Sequence, residues 1–330
     1  MKAWQVTASG EPAAVLHLAE RERPVPGPGE ALVRVAAVGV GMPDVMMCRG
    51  TYAFSPPQPF VPGQEIVGEI SAVGAGCALK PGQRVMGVTA FYSGHGGFAE
   101  YCLAPDYSLY PVPTGMADTE AAAFSIPFHT AWVGLCARGT LQPGETLLVH
   151  GAAGGTGAAA IGLARALGAT VIAVAGGPRK AQFCRDLGAD HVVDHTATDF
   201  VEAVRDLTAG RGADVIYDPV GGECFERSLH CIAGGGRLLA VGYASGRWGA
   251  ADSQRLVMRN CAALGVFVGA HPYAEMLQYH AALTQLWQDR KLRVTPAEVV
   301  PFTAIGERVA ALGARTVAGK VVALCQPPEQ

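Results

Sequence analysis

Residues 147–177, LLVHGAAGGTGAAAIGLARALGATVIAVAGG, constrain the fold of this 330-residue chain more than any other stretch. Residues 147–150 are an apolar run of the kind buried on both faces of a parallel sheet. Gly154, Gly155 and Gly157 then crowd a turn that also holds Thr156, where a missing Cβ lets the backbone approach a ligand closely. Residues 158–167 keep a helical spacing, Gly168 stands where a helix C-cap is expected, and 170–175 read as a second strand. The helix N-terminus offers unpaired N–H groups and partial positive charge to a dinucleotide pyrophosphate. The glycine pattern is imperfect, with Ala152 in place of the first glycine, so the flanking strand and helix carry the reading.

The residues after the second strand bear on which nucleotide binds. A chain preferring NAD places Asp or Glu there to accept from the ribose 2′-hydroxyl. Here the positions are Ala175, Gly176 and Gly177, followed by Pro178, Arg179 and Lys180 at the start of another helix. Two cations beside an acid-free turn suit the 2′-phosphate, and NADPH is expected over NADH.

Composition narrows the class. Half of the residues are hydrophobic and only 16% are charged, which indicates a globular enzyme of two domains rather than a disordered chain. A net charge of −3 without basic clusters argues against nucleic acid or an anionic membrane as partner. The nine cysteines stand singly with no C-x-x-C, so neither a disulfide framework nor a zinc cluster is indicated and a reducing cytoplasm is expected. The first twelve residues lack the apolar core of a signal peptide, and no apolar run reaches membrane-spanning length.

Before residue 120 the texture is β-rich, with runs at 31–40, 66–73 and 84–88 punctuated by the turns PVPGPGE, VPGQE and KPGQR. Residues 118–137 read as a helix that Pro127 should kink. From 145 onward βα alternation is regular, with strands expected at 146–150, 170–175, 191–194, 213–218, 236–242 and 263–268 in a doubly wound parallel sheet. A helix is expected over 274–290. The strand-like 319–324 lies outside the six-strand set and should rejoin the N-terminal domain.

With both halves placed, the chain resembles the medium-chain dehydrogenase/reductase superfamily, and within it the zinc-independent NADPH:quinone oxidoreductases of the zeta-crystallin type. The resemblance rests on ordered blocks: PVPGPGEALVRV (24–35), GMPDVMMCRGTY (41–52), PFVPGQEIVGEISAVG (59–74), GGFAEY (96–101), LQPGETLLVHGAAGGTG (141–157), GRLLAVGYASG (236–246) and TVAGKVV (316–322). It implies a GroES-like β-rich catalytic domain from 1–122 and 271–330, a Rossmann domain over 123–270, and an active site in the cleft between. It also implies a homodimer formed by antiparallel pairing of the last Rossmann strand, about 264–269. The zinc-dependent branch has a cysteine ligand and a GHE triplet where this chain has Gly39-Val40-Gly41 and Gly63-Gln64-Glu65, so no catalytic zinc is expected. Gly41 stands where quinone reductases of this type carry an asparagine near the nicotinamide or substrate.

Resemblance also assigns roles. Tyr52 is expected to donate a hydrogen bond to an oxyanion forming on the substrate, and Gln64 to face the same cleft. Gly41, Thr130, Val241, Gly242, Tyr243, Phe267 and Gly269 are expected at the nicotinamide, and His195 beside the adenosine phosphate. Gly154, Gly155, Thr156, Gly157, Gly177, Arg179 and Lys180 complete the cofactor set. The implied activity is hydride transfer to a quinone or α,β-unsaturated carbonyl. The alternatives are a 2-alkenal or enoyl-thioester reductase of a biosynthetic pathway, and a non-catalytic NADPH-binding redox sensor.

Overall fold

The computed structural model describes residues 1–325, which divide into two compact units. One comprises residues 1–126 and 294 onward; the other is the continuous segment 127–293.

The first unit opens with β1 (Lys2–Val6) and β2 (Leu16–Glu20), an antiparallel pair. It continues with β3 (Glu30–Val40), β4 (Glu65–Val73), β5 (Arg84–Val88), β6 (Tyr101–Pro105) and β7 (Leu109–Pro111). The second unit contributes β8 (Thr146–Val149), β9 (Thr170–Ala175), β10 (His191–Asp194), β11 (Ala213–Asp218), β12 (Ile232–Ala240) and β13 (Ala262–Gly265). The chain then returns to the first unit with β14 (Glu298–Pro301) and β15 (Val321–Leu324).

In the first unit β3 and β4 pair antiparallel along most of their length, and the sheet order is β14-β15-β3-β4-β5-β7, with β6 also on β3. β15 joins as expected of the tail, antiparallel to β3 with Val321 opposite Val40 and Leu324 opposite Ala37. Alternate apolar residues such as Val33, Val35, Ile66 and Ile70 fill the core beneath it.

The second unit holds a six-stranded parallel sheet in the order β10-β9-β8-β11-β12-β13. That is a doubly wound order with its switch between β8 and β11. Leu147, Leu148, Val149, Val215 and Ile216 are wholly buried, as strands covered on both faces require.

Three expectations need adjustment. The boundaries fall at 126/127 and 293/294, so residues 271–293, expected with the catalytic domain, pack in the second unit. The cause is the helix Tyr273–Gln288, whose His280 meets His129 and whose Tyr279 meets Trp132, both on the helix Ser125–Trp132. The helix expected over 118–137 is broken not at Pro127 but at 122–124. Pro127 lies in the first turn of the second piece, where a missing N–H costs nothing. That piece runs on into a π-helical turn, Val133–Arg138, whose Gly134 would place a Cβ 2.9 Å from the Tyr217 ring. Finally, the last Rossmann strand ends at Gly265 rather than near 268. Its partner β12 stops at Ala240, and Val266 N–H is the last donor to reach that carbonyl (3.0 Å).

Candidate active site

Because all six strands of the second unit run parallel, their C-terminal ends lie along one edge of the sheet, where ligands of such folds bind. Most expected cofactor residues come directly after those ends. After β8 comes the glycine turn, with Gly154 as N-cap of the helix Gly155–Ala166. The first-turn N–H groups of Gly155, Thr156 and Gly157 have no acceptor within the helix. Gly157 must lack a side chain, since a Cβ there would meet Gly151 O at 2.5 Å and Ala152 Cα at 2.7 Å. This tight seat brings the helix end against the turn and leaves a backbone cradle that fits a pyrophosphate.

After β9 the chain passes through Gly176 and Gly177 (φ +82°) into the helix Pro178–Asp186, whose first turn carries Arg179 and Lys180. His195, after β10, lies over this turn: its Nε2 is 2.8 Å from where a Cβ on Gly176 would be. Val241, Gly242 and Tyr243 come after β12, with Val241 N–H bonded to Asp218 O (2.9 Å). Phe267 and Gly269 come after β13, and Phe267 is 56% exposed, so it is not a core residue of this chain. Thr130 is half-buried in the helix Ser125–Trp132, next to the buried His129.

Two acids of this edge were missed in the sequence. Asp194, closing β10, accepts at Oδ1 from Gly177 N (2.9 Å), Thr196 N (3.0 Å) and Thr196 Oγ1 (2.7 Å). These bonds, that from the Thr196 hydroxyl first, hold its carboxyl below the usual range. It is thus an acid beside the turn, but one engaged by its own loop. Asp218, at the end of β11, accepts from Val220 and Gly221 N–H, and burial raises it to about 6. The DPVGG run after an expected strand was the available signal.

In the first unit the helix Met42–Arg49 begins at Gly41 and carries Asp44 in its first turn. Asp44 accepts from Gly41 N–H at 2.8 Å and from Gly63 N–H at 3.0 Å. Gln64 is buried, with its Nε2 3.8 Å from Met47 Sδ. Glu65, wholly buried, accepts from Ile126 N–H (2.9 Å) and pairs with Lys320 Nζ at 2.6 Å. Tyr52 packs in an aromatic group, 5.7 Å from Phe54 and 6.2 Å from Phe91 between ring centres.

The donors here do not fit a zinc ion. Gly41 offers no side chain, Gln64 only an amide, and both Asp44 and Glu65 are committed to N–H groups or Lys320. Among the described residues no three His, Cys, Asp or Glu converge as a metal site would require.

Two family models match the chain: "Alcohol dehydrogenase GroES-like domain" over residues 27–114 and "Zinc-binding dehydrogenase" over 155–282. The chain belongs to the medium-chain dehydrogenase/reductase family. Its first unit is the GroES-like domain of that fold and its second the Rossmann domain. A quinone oxidoreductase-like protein 2 homolog of Nematostella vectensis is 39% identical over 247 residues, 74% of this chain and 67% of the relative. A mycobacterial protein solved in complex with NADPH superposes with a TM-score of 0.90 at 31% identity, over 98% of this chain and all of that one. The enoyl reductase CurK gives 0.83 at 28%, over 98% and 99%. The chain thus carries a medium-chain dehydrogenase/reductase fold.

Proposed function

We propose that the chain is a zinc-independent, NADPH-dependent reductase of quinones or related α,β-unsaturated carbonyl compounds. The observation that carries this reading is the glycine-seated helix Gly155–Ala166 beside the Gly176-Gly177 turn, with Arg179 and Lys180 next along the chain. NADPH supplies the hydride when bound.

The chain's own groups bind, orient and donate. Backbone N–H groups of Gly155, Thr156 and Gly157 hold the pyrophosphate, with Gly154 capping the turn. Gly177, Arg179, Lys180 and His195 take the 2′-phosphate end, where Asp194 Oδ1 is already engaged by Gly177 and Thr196. Thr130, Val241, Gly242, Tyr243, Phe267, Gly269 and Gly41 face the nicotinamide. Tyr52 donates to the acceptor oxygen as negative charge develops there, and Gln64 orients the acceptor. A quinone gaining a hydride and one proton becomes a hydroquinone; an enone gains the hydride at its β-carbon and the proton at its α-carbon.

A second reading, reduction of an enoyl thioester, is favoured by the likeness to the enoyl reductase CurK. Antiparallel dimer pairing at about residues 264–269 and a cytoplasmic location complete the proposal. Loss of reduced-nicotinamide absorbance with 1,2-naphthoquinone, with an enone and with an enoyl thioester, compared side by side, tests it. Oxidation with none of the three would leave a cofactor-binding protein without reductase activity.

A further inference from the structure

We propose that Asp44 is a positioning residue for this reaction: its carboxylate accepts the N–H groups of Gly41 and Gly63 together and so fixes the backbone carrying Gly41 and Gln64, and it can do so only when ionised. This rests on the proposed reading, which places Gly41 and Gln64 at the reacting groups.

The two N–H donors come from segments far apart in sequence, yet they meet the two oxygens of one carboxylate that is 1% exposed. Gly63 cannot turn away. Its φ is +97°, and its carbonyl receives Thr89 Oγ1 at 2.8 Å and Gly97 N–H at 2.7 Å. A Cβ there would lie 2.5 Å from Phe98 N. Gln64 comes next, with its own carbonyl bonded to Thr89 N–H (2.9 Å) and its amide beside Met47. One helix therefore holds Gln64 twice, through Asp44 on the preceding peptide and through Met47 on the side chain.

A neutral carboxyl carries a hydroxyl on one oxygen, which would set a donor against one of the two N–H groups. The charged groups acting on Asp44 are Lys320 and Glu65. Lys320 is paired with Glu65, so Asp44 has no cation of its own. The neighbouring Cys48 thiol is pushed up to about 12 and stays neutral. Burial, the largest influence, raises Asp44 to about 6 against the two N–H bonds and Lys320. The loss of the clamp therefore falls within the range of ordinary assays.

The test uses the full chain, isotopically labelled. The backbone amide signals of Gly41 and Gly63 are expected to shift together with one midpoint near pH about 6, and to stop titrating in Asp44→Asn. In the wild type, kcat for NADPH-dependent reduction of 1,2-naphthoquinone should fall on acidification with that midpoint. Asp44→Asn keeps one acceptor and opposes the other N–H with its own NH₂. It should lose this limb and turn over about tenfold more slowly, with NADPH affinity kept. Amide signals that do not titrate together, or a variant with wild-type kcat and an unchanged limb, would overturn the proposal. If Asp44→Asn does not fold, the wild-type amide titration decides alone. A wild type that reduces no acceptor overturns the functional reading instead, and the paired titration still decides whether Asp44 holds both loops.

Discussion

His129 Nε2 and His280 Nδ1 lie 3.1 Å apart, with both side chains almost wholly out of solvent. One nitrogen must donate and the other accept, so the bond is lost once both rings carry a proton on the facing nitrogens. Burial first, and His280 second, hold His129 well below the ordinary imidazole range.

A group that takes up a proton more readily unfolded than folded lowers stability on acidification. For His129 the loss begins as pH falls below the unfolded value of about 6.5 and grows by at most about 1.4 kcal/mol per pH unit. His150, pushed down to about 3 by burial, acts in the same direction. Asp44 and Asp218, raised to about 6, act oppositely between about 4 and 6, so the variant must be compared with the wild type. Urea unfolding of wild type and His129→Gln at pH 7.5 and about 5.5 should show the wild type losing more. Parallel losses would mean that His129 does not contribute.

Gly41 has extended backbone (φ −135°, ψ 164°), and a Cβ there would lie 3.4 Å from Pro43 Cδ, 3.7 Å from Asp44 Oδ2 and 3.9 Å from Lys320 Nζ. These are ordinary contacts, so Gly41→Asn should fold with a stability change within about 1 kcal/mol. The added amide narrows the space beside Asp44. The ratio of kcat/KM for a quinone over an enoyl thioester should change by about tenfold, which corresponds to about 1.4 kcal/mol. An unchanged ratio would remove residue 41 from acceptor selection.

Tyr52→Phe retains the ring between Phe54 and Phe91 and deletes only the hydroxyl. A donor to developing negative charge is worth on the order of a hundredfold in kcat when removed. The expected result is a fall of about ten- to a hundredfold in kcat with NADPH affinity unchanged by fluorescence titration. A wild-type rate would reduce Tyr52 to packing.

Lys180→Ala should weaken NADPH binding about ten- to a hundredfold while leaving NADH binding nearly as it was, the signature of a lost charge-assisted bond to the 2′-phosphate. Equal losses for both nucleotides would point to disturbance of the helix Pro178–Asp186 instead.

The central Rossmann strands β8 and β9 were legible because they are buried on both faces and read as unbroken apolar runs, as 147–149 and 171–175 do. The glycine turn was legible because Gly157 answers a contact only a few residues away. Long-range contacts were not. The π-turn after Trp132 accompanies the close approach of Gly134 to Tyr217, which local propensity does not encode. The helix Tyr273–Gln288 was assigned to the wrong unit because its partner, His129, is 151 residues earlier. Asp44 has no local sequence signal for its part, because only the fold brings Gly63 to its second oxygen.

The placement of β15 has a consequence for how the chain matures on the ribosome. Residues 127–293 are contiguous and can close their sheet as soon as they emerge. In the other sheet residues 37–40 of β3 wait uncovered on the side away from β4 until residues 321–324 arrive, and the partner of Glu65 arrives with them. A nascent chain halted before that point would expose an open strand edge and an unmatched buried anion, so termination there should yield aggregation-prone product.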